Sequence, residues 1–134
     1  MTRYHNVTVV FELNCKEQAI NNLIEIDMFQ KKSIDGYKPA IDKIEMKTLV
    51  HGDKTLLVEF QMKKGALLPR HSHPHEQTGY LVSGNMELTI GAETFSVKPG
   101  DSWCIAGDIK HNAVILEDTV AVEVFSPVRE DYLP

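Results

Sequence analysis

From Ile41 onward the chain breaks into short β-type runs separated by turn signals, and this rhythm is its strongest folding constraint. IEMKTLV, TLLVEFQM, TGYLVSG, MELTI, TFSV, SWCI, HNAVIL and VAVEVFS follow one another, divided by HGDK, KKG, N, GAE, KPGD, AGDIK and EDT. Many short strands at even spacing leave no room for crossover helices, so the pattern predicts an all-β sandwich or barrel. The first forty residues read differently. VTVVFEL (7–13) is a short strand by composition, and Asn14 with Glu17 has capping-box spacing. Ile20, Leu23, Ile24 and Met28 continue at helical spacing, which predicts a helix from about Cys15 to Lys32. Gly36 and Pro39 in SIDGYKPA end it. The expected organisation is a strand–helix extension over 1–40 and a β-barrel domain over 41–134.

Charge and composition narrow the function classes. A net charge of −5 over 134 residues offers no basic footprint, so nucleic acid is not an expected partner. No apolar run is long enough to span a bilayer, so no membrane partner is expected. The start, MTRYHNVTVVFELN, lacks the pattern of a secretory signal. Cys15 and Cys104 form no C-x-x-C pair, and a chain of this length needs no disulfide scaffold. These features together predict a cytoplasmic protein.

The stretch RHSHPHEQTGY sets His71, His73 and His75 on alternate positions. If Arg70 to His73 is a strand end, alternate residues share a face and His71 and His73 point the same way. The alternation of Leu57, Glu59 and Gln61 before them suggests that this face is the barrel interior. Pro74 breaks the ladder after His73, so His75 reads as a rim residue or a partner of the others. His111, opening HNAVIL, is the candidate for a further ligand. The alternative is a polar rim of surface histidines. His5 and His51 have no partner pattern.

Gly65, His71, His73, Gln77 and Gly84 fall at the spacings of the first motif of the cupin family, with Gln77 where a glutamate usually stands. Gly100 and His111 are similarly in register with the second cupin motif. Ala106, Asp108 and Ile115 replace its usual proline, glycine and asparagine. The resemblance covers about residues 41–132. It implies a double-stranded β-helix (jelly-roll) barrel holding a divalent transition metal through His71, His73, Gln77 and His111. Three imidazoles and a carboxamide suit Zn, Ni, Fe, Mn or Co. A neutral Gln77 leaves the ion's charge uncompensated, which favours an anionic ligand.

HSHPHEQTGY, KPGDSW and VEVFSPVREDYL together resemble the small single-domain bacterial cupins related to the pectin-degradation protein that linearises unsaturated uronates. That resemblance implies a metal-dependent lyase or isomerase acting on an acidic carbohydrate. Glu123 stands where an aspartate is usual and Arg129 where an arginine is usual; these are the catalytic candidates. Phe125 and Arg129 are the substrate-binding candidates. On the tail's own pattern, Glu123 and Phe125 share one strand face, while Arg129 either clamps a carboxylate or pairs with Glu130 or Asp131. A metal-dependent dioxygenase and a non-catalytic ligand-sensing barrel are the alternatives. The expected partners are a small anionic substrate and, through the apolar stripe of the N-terminal helix, a second copy in a homodimer. Trp103 reads as core or barrel-mouth wall, Cys104 as buried, Met46, Met62 and Met86 as core, and Gly84, Gly91 and Gly100 as turns.

Overall fold

The structure, a computed structural model, describes residues 27–134. The strands are β1 (Lys38–Ile41), β2 (Ile44–His51), β3 (Leu56–Met62), β4 (Leu67–His71) and β5 (Glu76–Ser83). They continue with β6 (Met86–Ile90), β7 (Glu93–Val97), β8 (Ser102–Ile105), β9 (His111–Ile115) and β10 (Thr119–Ser126). A 3₁₀ turn follows at Glu130–Tyr132. The strands form two antiparallel sheets, one ordered β1-β2-β3-β10-β5-β8 and the other β4-β9-β6-β7. This is the expected jelly-roll barrel. Among the described residues no helix is long and apolar enough to cross a membrane.

Two strands escape the sequence pattern, and both carry a proline. Pro39 lies in β1 and Pro69 in β4. Each strand is the outermost of its sheet, where a residue without an N–H removes no ladder bond. β1 also lies in a stretch read as a turn. The N-terminal helix is corrected in part: residues 27–32 form no helix. Met28 and Phe29 are 59% and 74% exposed. The rest of that helix, the 7–13 strand and the dimer contact assigned to them lie outside the described residues.

Alternation decides which side chains fill the barrel. On β3, Leu56, Val58 and Met62 are buried, and Leu57, Glu59 and Gln61 take the opposite side. The expected phase is therefore reversed: a two-residue period groups residues but does not say which group faces in. The all-apolar set wins because burying it removes the most apolar surface from water. Ile44, Leu81, Met86, Leu88, Val97 and Ile115 build the main core. Each such side chain stabilises the fold by about 1.5–3 kcal/mol relative to exposure.

Two tight approaches fix the loops around the open end and the opposite end. At Gly84 (φ +97) a Cβ would sit 2.5 Å from Asp118 O, so only glycine lets the β5–β6 turn pack against the β9–β10 turn. At Gly107 a Cβ would meet Pro74 O at 2.4 Å. That contact, with Asp108 N donating to His73 O at 2.8 Å, docks the loop before β9 onto the loop after β4.

Candidate metal centre

That docking brings together histidines thirty-eight or more residues apart in sequence. His71 ends β4 and is the direct cross-strand partner of His111, which begins β9. His73 lies in the loop just beyond β4. One ring nitrogen from each of the three comes within 4.8 Å of the others. Each Nδ1 meets a main-chain carbonyl: His71 with Pro69 O at 2.7 Å, His73 with His75 O at 3.0 Å, and His111 with Ile109 O at 2.8 Å. Those contacts place the proton on Nδ1 and leave Nε2 with its lone pair, the arrangement of a metal-ligating imidazole.

Two observations show that the residues fit a cation. Nε2 of His111 is shielded from solvent and has no hydrogen-bond partner, an arrangement that costs free energy unless something binds there. His73 sits between two carbonyl oxygens, His75 O and, at 2.7 Å from Nε2, Gln77 Oε1. A neutral ring has one N–H and cannot donate to both. A cation ligated by His73 and Gln77 would use both lone pairs. Burial foremost pushes His73 and His111 below the usual histidine value, and the neighbouring Arg129 charge adds to this. Both rings are thereby kept neutral. His75 contributes its carbonyl to His73, and its ring packs 5.7 Å away.

The cavity containing this cluster has a volume of about 560 Å³. Glu123, on β10, lines it. Its Oε1 accepts hydrogen bonds from Gln77 Nε2 and from Trp103 Nε1, both at 3.1 Å. Burial pushes the carboxyl up to about 7, against those two bonds and the Arg129 charge, which pull it down. Phe125 is 1% exposed and presents its ring edge-on to His73, centroids 5.8 Å apart.

Arg129 stands at the cavity and is already paired. It lines the cavity, and it pairs with Asp131 through Nε at 3.1 Å and Nη2 at 2.6 Å. Its guanidinium lies 3.7 Å from the Tyr132 ring centroid. The sequence pattern missed Tyr132, three residues from Arg129 in a tail without strand or helix periodicity, and the hydrogen bond of Trp103, whose acceptor Glu123 lies beyond β5 on β10. It also misplaced Cys104, which is an exposed free thiol. Trp103 and Ile105 take the inward positions of β8, so the residue between them faces out.

Comparison with known proteins agrees with this architecture. None of the curated proteins compared matches the chain. KdgF from Halomonas sp. is 31% identical, aligning over 72% of this chain and 92% of its own with a TM-score of 0.70. An RmlC-like cupin from Shewanella frigidimarina shares the fold at 23% identity, covering 78% of this chain and 95% of its own, TM-score 0.73. A predicted oxalate decarboxylase from Thermotoga maritima does so at 15% identity, with 75% and 100% coverage and a TM-score of 0.66. The family described as Cupin domain matches residues 58–127. The chain belongs to the cupin family.

Proposed function

We propose that this cupin is a metal-dependent enzyme that opens or isomerises a small acidic sugar such as an unsaturated uronate. One observation carries the reading: a carboxyl held near pKa 7 faces the same cavity as the three clustered imidazoles. The likeness to KdgF and to the uronate-linearising pectin-degradation cupins supports it.

His71, His73, His111 and Gln77 would hold the divalent ion, of the Zn, Ni, Fe, Mn or Co class. A divalent ion held there would supply Lewis-acid polarisation of a substrate oxygen. All four donors are neutral, so the site keeps a net positive charge that draws an anionic substrate. Opening a cyclic hemiacetal removes a proton from the anomeric hydroxyl and delivers one to the ring oxygen. Glu123, poised near neutrality, serves as base and then as acid. Arg129 offers the substrate carboxylate those N–H groups that Asp131 leaves free. Phe125 walls the site against water beside His73.

The test is to load the protein with each candidate ion, add unsaturated uronates and related keto-sugars, and follow the anomeric signals by NMR. Loss of the hemiacetal signals well above the protein-free rate is the expected result. An iron-loaded protein that consumes oxygen and opens no sugar is a dioxygenase, and the proposal fails.

A further inference from the structure

Glu123 lies one strand away from Trp103, with β5 running between β10 and β8. The residue that separates them is Gly79, paired with Glu123 on one side and with Trp103 on the other. All three occupy inward positions, so a side chain at 79 would stand between the carboxyl and the indole. A Cβ there would come within 2.1 Å of Trp103 Cε2 and 2.3 Å of its Nε1 and Cζ2. The indole therefore fills the space that any other residue at 79 would need. It crosses β5 and delivers its N–H to Glu123 Oε1 at 3.1 Å. Gly79 has no positive φ among the backbone values that mark such glycines, so space, not conformation, demands glycine here.

The hydrogen bonds on Glu123 are unequal. Oε1 accepts from Trp103 and also from Gln77, whereas Oε2 has no partner among the described residues' hydrogen bonds. Two donors on one oxygen hold the carboxyl plane and leave the other oxygen to meet a substrate. We infer that Trp103 is a positioning residue for Glu123, seated by the missing side chain of Gly79, and that it directs Oε2 into the cavity as the proton-carrying atom. This rests on the reading of Glu123 as the proton carrier. The contact can nonetheless be tested without turnover, because Trp103 is the chain's only tryptophan.

In zinc-loaded protein the single indole N–H resonance should move when Glu123→Ala removes the acceptor. An unmoved resonance overturns the proposal whatever the activity. Where the parent opens a uronate, Trp103→Phe should lower kcat roughly tenfold to a hundredfold with KM and bound metal unchanged, since misplacing a catalytic group is costly. Full kcat in that variant also overturns the positioning role. Gly79→Ala should displace the indole and shift its fluorescence, with the same loss of kcat. If this variant does not fold, the first two measurements still decide. A moving resonance in a parent that opens no uronate supports the Trp103–Glu123 contact and sinks the proposed reaction instead.

Discussion

The two ends of this barrel are made by the same strands, yet they have opposite chemistry. The inward positions of β9 run His111, Ala113, Ile115, and those of β5 run Gln77, Gly79, Leu81. Those of β10 run from Phe125 and Glu123 to Ala121 and Thr119. β9 and β5 pass from a polar donor to a tightly buried aliphatic side chain within four residues, and β10 passes from Glu123 to buried Ala121 within two. At the closed end side chains from both sheets meet, and burial is all gain. At the open end they stop short around the cavity, and burial has a cost: two histidines are pushed down and one carboxyl up. Chemistry is thus gathered at one end of the strands, while apolar burial runs along them: Ile44, Met62, Met86 and Leu88 wall the cavity, and Phe125 packs with Met46, Leu56 and Val58.

Substitutions at the two ends should therefore have opposite signatures. The largest effect belongs to the open end. His71→Ala, His73→Ala or His111→Ala should each lower metal affinity by more than the roughly 10–100-fold that loss of an outer partner costs, leaving a folded barrel. Elemental analysis with circular dichroism checks this, and full metal in all three variants breaks the assignment. At the closed end Leu81→Ala should do the reverse. Leu81 is fully buried, and its truncation should cost about 2–5 kcal/mol of stability with metal content unchanged. Denaturant unfolding measures it.

A pH experiment sharpens the contrast. The folded value of Glu123, about 7, lies above its ordinary 4.5, so between those values the folded state holds a proton that the unfolded chain has released. This group's stabilisation is complete below pH 4.5 and is lost as pH rises through 7, roughly 3 kcal/mol in metal-free protein. His73 and His111, pushed down, act oppositely and weaken the fold as pH falls. The quantity to measure is accordingly the stability difference between the parent and Glu123→Gln from about pH 5 to about pH 8. A flat difference would show that the carboxyl is not desolvated.

The smallest effect expected is at Gln77. Gln77→Glu adds a charge beside the imidazoles, which should tighten the metal and weaken an acidic sugar by roughly 1–3 kcal/mol. It also removes the amide donor to Glu123 Oε1 and sets two carboxyls side by side. Calorimetric titration of metal and of a uronate into both proteins separates these effects. Unweakened sugar binding would remove the charge argument for an anionic substrate.

Strands β2, β3 and β5–β10 were legible in the sequence because period-two alternation and turn residues bound them. β1 was not, since Gly36 and Pro39 mark its stretch as a turn until the topology shows an edge strand, and β4 was reached only at its histidine end. The imidazole cluster was legible through motif spacing around His71, His73 and His111. The support for Glu123 was hidden, because Gly79 and Trp103 meet it only through sheet order. Nothing near Trp103 in the chain points to residue 123. Cys104, read as buried, is turned outward by the phase of β8, where Trp103 and Ile105 take the inward positions.

The three imidazoles are aimed by main-chain carbonyls of Pro69, His75 and Ile109, not by neighbouring side chains. A carbonyl belongs to the chain whatever residue carries it. The cradle is thus indifferent to the identity of the side chains flanking it, provided the backbone keeps its path. Walls that leave this backbone path intact can change without turning the three imidazoles, whereas Gln77, whose amide donates to Glu123, ties its carboxamide to the cavity wall.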